Sequence, residues 1–163
     1  MTRVEWNGEA PAARNARLRL PGIAREYFEE GRRVAAAAPS PKTLHAFRLH
    51  TKRLRYTLEL FREVYGESLE EYLGGLRKVQ TYLGDINDCA TTLELVLDAM
   101  PLPSPLRRKI EQFLSVRSGQ LTADFLDYWR NGFDAAGQEG QWARFLAGRV
   151  ARTRPAQALS VAE

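Results

Sequence analysis

Between Leu69 and Met100, apolar side chains recur close to the helical period, at Leu69, Leu73, Leu76, Val79, Leu83, Ile86, Leu93, Val96 and Leu97. That spacing predicts one helix of about 30 residues, some 45 Å long at 1.5 Å per residue. A helix of that length with one apolar face has to be covered along it by other helices, and this directs the chain towards a bundle. Ser68 and Glu71 match a capping box at its start. Pro101, Pro103 and Pro105 close it.

The remaining segments read as helices separated by breakers. Residues 1–20 read as a loose arm in which Trp6 is the one aromatic candidate for docking, and Pro21-Gly22 reads as a break. Residues 23–38 form an expected helix weakened by Gly31. Pro39-Ser40-Pro41 is a sharp stop, with Ser40 placed to N-cap a helix that starts at Pro41 and runs to Gly66. Ser104-Pro105 opens a further helix to about Arg130, Asn131-Gly132 interrupts it, and residues 138–152 form a last short helix anchored by Trp142, Phe145 and Leu146. The tail from Thr153 is expected to fray. No segment alternates with period two. The expectation is an all-α, up-and-down antiparallel bundle of four to five helices in one domain, residues 1–163.

At 163 residues with 44% hydrophobic side chains, one core is affordable in a single domain. No apolar run reaches the 18 residues of a membrane span, and the N-terminus lacks the apolar stretch of a signal peptide, so a cytoplasmic location without membrane association is expected. Cys89 is the only cysteine, which excludes an intramolecular disulfide and a thiolate zinc site within one chain.

Charge is segregated along the chain. Residues 1–62 carry a net +7, residues 63–100 a net −6, and residues 101–163 a net +3. The positive charge gathers in Pro41–Tyr65, which holds both histidines. On a helical wheel, His45, Arg48, Lys52, Arg55 and Tyr56 form one stripe, beside an apolar wall of Leu44, Phe47, Leu54, Leu58 and Phe61. Stacked cations repel by a few tenths of a kcal/mol per pair, and Glu59 relieves only part of this. A polyvalent anion lying along the ridge converts the repulsion into binding. Arg107 and Arg108 sit where their charge opposes the helix dipole, so a local structural benefit is not expected. They and Lys78 are candidate extensions of the basic surface.

Gln80, Gly84, Asn87 and Asp88 share one face of the long helix. This strip is expected to face the basic helix, with Gly84 permitting close approach and Asn87 and Asp88 bonding Arg48, Arg55 or Tyr56.

The pattern His45-x-x-Arg48-x-x-x-Lys52-Arg53-Leu54-Arg55-Tyr56, then Glu59-Leu60-Phe61, then Gln80-x-x-Leu83-Gly84-x-x-Asn87-Asp88, resembles the signature of the CHAD family, the conserved histidine α-helical domain. The resemblance is close over residues 42–98 and loose over 101–150. It implies a helical fold and inorganic polyphosphate as ligand, with His45, Arg48, Lys52, Arg53 and Arg55 lining the phosphate site and Gln80, Asn87 and Asp88 supporting them. Family domains commonly hold two such bundles in tandem. One copy of the basic block is present here, so pairing of two chains into a homodimer is an expectation.

Other chemistries fit less well. A nucleic-acid backbone would suit the ridge, but no aromatic ladder for stacking bases accompanies it. His45 and His50 are about 140° apart on the wheel and cannot chelate one ion together. No catalytic residue, metal or cofactor is expected. The alternative is a phosphate-transfer or phosphohydrolase role involving His45.

Overall fold

The computed structural model describes residues 6–100 and 104–148 of the chain. These form five α-helices, one single-turn helix, a 3-10 turn and a π-helical turn, Trp129–Phe133, that carries the chain past Asn131-Gly132 without the expected interruption. In chain order the α-helices are α1 (Ala12–Ala36), α2 (Pro41–Glu59), the single turn α3 (Arg62–Tyr65), α4 (Leu69–Ala99), α5 (Pro105–Tyr128) and α6 (Gln138–Leu146). The fold is all-α, as the periodicity predicts.

Two starts follow the expected cap chemistry. The Ser40 hydroxyl accepts from the Thr43 amide, with Pro41 at the first helical position. The Ser104 hydroxyl accepts from the Arg107 amide, ahead of α5. The capping box at Ser68 does not form. A 3-10 turn, Gly66–Ser68, leads straight into α4, so Ser68 already has helical backbone angles and its hydroxyl caps nothing.

The N-terminal expectation is corrected. From Ala12 onwards the chain is helical, and α1 runs through Pro21-Gly22 without stopping. Proline in a helix interior costs about 3 kcal/mol. Leu20 and Ile23 flank it and are buried, each contributing roughly 1.5–3 kcal/mol, so burial outweighs the breaker. Trp6 does dock, its ring centroid 5.4 Å from that of Phe61. The basic segment is also divided: α2 ends at Glu59, and Arg62–Tyr65 forms a separate turn before Gly66 takes a positive φ of 64°. The last helix is described to Leu146; residues 149–163, including the expected frayed tail, and residues 1–5 of the arm lie outside the described residues.

Helices α1, α2, α4 and α5 each run antiparallel to the next, and α6 lies antiparallel along α1, where Trp142 meets Phe28 and Glu139 meets Arg32. Tyr27, Phe28, Phe47, Phe125, Trp129, Phe133 and Trp142 make a continuous aromatic core. Gly31 is not merely a weak point in α1. A Cβ there would lie 1.9 Å from the Trp129 ring, so the missing side chain is the seat of the indole. The same interior contains hydrogen bonds. Thr51 donates to the Phe47 carbonyl at 2.8 Å, which leaves its oxygen to accept from the Tyr27 hydroxyl at 3.0 Å.

Candidate functional site

The furrow between α2 and α4 is fixed at two points. At one end Nδ1 of His45 lies 2.8 Å from Oδ1 of Asn87; at the other, Arg62 pairs with Glu70 at 2.8 Å. The helices are antiparallel, so one turn forward in α2 matches one turn back in α4. Arg48 therefore stands across from Gly84, Lys52 across from Gln80, and Arg55 across from Arg77.

Gly84 has a different part from the one its sequence position suggests. A Cβ there would meet nothing within 4 Å, so the neighbouring helix does not press against it. Its bare backbone leaves open space opposite Arg48. Where His45 meets Asn87, the furrow widens into a cleft of about 330 Å³ lined by Pro41, Lys42, His45, Asn87, Ala90, Thr91 and Glu94.

The cations along the furrow are not equivalent. Arg55 donates to Glu59 at 2.6 Å, its guanidinium lies 4.4 Å from the centre of the Tyr56 ring, and its Nε–H is buried without an acceptor. Arg62 and Arg77 share Glu70, whose carboxyl is held below the usual carboxylate range by the Arg77 hydrogen bond, with a further contribution from the Arg62 charge. The lower end of the furrow is thus neutralised by carboxylates. The upper end is not. Among the described residues no carboxylate lies within ion-pairing distance of Lys42, Arg48, Lys52 or Arg53. Arg48 and Lys52 are half-buried and one helical turn apart.

Several candidates fall elsewhere. Arg53 is exposed on the flank of α2 turned away from α4, about 100° from Lys52. Tyr56 is half-exposed and serves as the platform for Arg55. Gln80 and Asn87 line the furrow; Asp88 is exposed and makes no bond to Arg48, Arg55 or Tyr56, so the expected buttress reduces to Asn87 holding His45. Lys78 is on the opposite side of α4, its Nζ 4.2 Å from the centre of the Tyr128 ring on α5. Arg107 is corrected from ligand candidate to structural cap. Its Nη1 donates to the Leu97 and Met100 carbonyls at the end of α4 and its Nε to Glu111. The dipole argument considered only its own helix; its charge serves the C-terminus of the preceding one. Arg108 is exposed beyond the end of α2, away from the furrow.

His50, the second histidine, is buried against α1, with Nδ1 2.5 Å from Glu30 and its ring edge-on to Tyr27. Its wheel position beside Phe47 and Leu54 was the available signal for that role. No group of three or more His, Cys, Asp or Glu side chains suited to a metal ion occurs among the described residues. No described helix is long and apolar enough to cross a membrane.

The profile of the CHAD domain matches residues 4–97. The chain belongs to the CHAD family. The match takes in α1, α2 and nearly all of α4, and therefore both walls of the furrow. No curated protein and no solved structure gives a significant match. In this CHAD domain the family's basic block and its Gln80-to-Asp88 block are the two facing helices of one groove, and the helices outside the match, α5 and α6, complete the core behind them.

Proposed function

We propose that this CHAD domain binds inorganic polyphosphate along the α2–α4 furrow and does not turn it over. The observation that carries the reading is the unneutralised pair Arg48 and Lys52, facing the side-chain-free stretch at Gly84. Membership of a family known to bind polyphosphate agrees with it. A planar guanidinium fork grips two phosphate oxygens, and an ammonium one turn away supplies a second charge about 6 Å along the helix axis. Lys42 and His45 mark the entry, where Asn87 holds the His45 ring by Nδ1. Asn87 Oδ1 accepts from Nδ1–H.

Binding without turnover is favoured by the kind of groups present. The furrow offers positive charge and amide, and among the described residues no group of three or more His, Cys, Asp or Glu gathers to hold Mg²⁺. Competition between polyphosphate and DNA or RNA at matched ionic strength tests the ligand. Polyphosphate should displace either nucleic acid; the reverse order would make the sugar–phosphate backbone the ligand. Release of phosphate from polyphosphate or triphosphate, with and without Mg²⁺, tests the absence of turnover.

A further inference from the structure

The free positive charge of the furrow is bounded at both ends. On α2 it runs from Lys42 to Lys52, about 15 Å along the helix axis. About one turn below Lys52 the charge of Arg55 is met by Glu59, and beyond it Arg62 and Arg77 share Glu70.

The upper boundary belongs to α4. Asn87, Thr91, Glu94 and Asp98 recur at intervals of four, three and four, so the face of α4 that lines the furrow continues past it. Counted from the His45–Asn87 pair, Ala90 stands level with Lys42, and Glu94 about one turn further out, where α2 has not yet begun. Glu94 lines the cleft together with Lys42 and His45. Asp98 follows about one turn later. Both carboxylates are exposed, and among the described residues no cation lies within ion-pairing distance of either. The cations at the start of the neighbouring α5 do not cancel them. Arg107 is bound to Glu111 and to carbonyls at the end of α4, and Arg108 and Lys109 make no ion pair with α4.

A polyanion seated between Lys42 and Lys52 is attracted along its whole length. Continued upward along α4, it brings its next charges against Glu94 and then Asp98. Continued downward, it meets cations that carboxylates already neutralise. At 0.1 M salt the Debye length is about 10 Å, so a carboxylate one turn away still acts on it.

We infer that the furrow recognises a short run of phosphates, about 15 Å of extended chain, and that Glu94 with Asp98 sets its upper limit. An oligophosphate that fits the Lys42–Lys52 stretch is, site for site, as good a ligand as a long chain. This rests on polyphosphate being the ligand of the furrow.

The test is a calorimetric titration of the full chain at matched ionic strength with three ligands: inorganic triphosphate, an oligophosphate just long enough to span about 15 Å, and a long chain. Affinity, corrected for the overlapping positions a long chain offers, should rise from the first to the second and stay within about twofold from the second to the third, with equal salt dependence for those two because the same cations are neutralised. Glu94→Gln/Asp98→Asn alters exposed groups only, and its melting temperature should match wild type. It should strengthen binding of the long chain at least about threefold and leave the fitting oligophosphate nearly unchanged. Affinity and salt dependence that keep growing beyond the fitting length overturn the inference while polyphosphate binding stands. So does a variant that strengthens all three ligands alike, because the carboxylates then only lower the overall field, or one that changes none of them. Absence of binding at every chain length removes the polyphosphate reading itself, and the inference with it.

Discussion

His45 and Asn87 are joined across two helices by a 2.8 Å contact between Nδ1 and Oδ1, and that contact sets which residues face one another along the whole furrow. Counted from this pair along antiparallel helices, Arg48 stands level with Gly84 and Lys52 with Gln80. Replacing Asn87 with Ala frees the His45 ring. We expect a stability loss of about 0.5–1.5 kcal/mol, the net value of one exposed hydrogen bond, and weaker polyphosphate binding. Asn87→Asp should weaken binding further by placing a negative charge at the entry. Thermal melting and a polyphosphate titration on the same samples check both.

Gly84 separates folding from binding. A Cβ there enters open space in mid-helix, so Gly84→Ala should stabilise the fold by about 0.5–1 kcal/mol. Gly84→Leu should fold as well as wild type yet bind polyphosphate less tightly, because the side chain occupies the furrow opposite Arg48. Gly31→Ala makes the opposite case. Its Cβ collides with Trp129, and overpacking of this kind costs roughly 1–3 kcal/mol or more, readable as a lower melting temperature.

Arg107 should behave as a structural residue. Arg107→Ala leaves two carbonyls of the α4 end and Glu111 without their partner, at a cost of about 1–3 kcal/mol. Polyphosphate affinity should stay unchanged once the variant is measured below its melting range.

Alkaline pH should unfold the domain early. Burial raises the Tyr27 hydroxyl far above its ordinary value of 10, pushes Tyr65 up to about 12, and raises Tyr72 and Tyr128 as well. Above pH 10 the unfolded chain releases these protons while the folded chain retains them, so the folded state loses stability as pH rises. The contribution is fully present below pH 10 and falls away above it. Melting temperatures at pH 8, 10 and 11 should drop steeply across the last interval. Tyr65→Phe should flatten part of that drop.

Much of the architecture is legible in the chain. The period of the long α4, the Ser-Pro starts of α2 and α5, and the basic stripe with its Glu59 partner all read directly, because each is decided by neighbours within one helix. What sequence misassigns is decided across helices. Pro21 reads as a breaker until Leu20 and Ile23 are seen buried on either side of it. Ser68 reads as a cap until the Gly66–Ser68 turn is seen to run into α4. Arg107 and Lys78 read as free cations until the carbonyls of α4 and the Tyr128 ring are found beside them. The furrow itself, with free charge above and carboxylate-paired charge below, depends on the α2–α4 register, and no pattern within either helix encodes it.

The most direct measurement is a calorimetric titration with polyphosphate of defined length, at fixed ionic strength, on wild type and Arg48→Ala/Lys52→Ala. The account predicts at least about a tenfold loss of affinity from removing two charge-assisted contacts, a shallower dependence on salt, and an unchanged melting temperature. Equal affinity in the two proteins, with both folded, would contradict it.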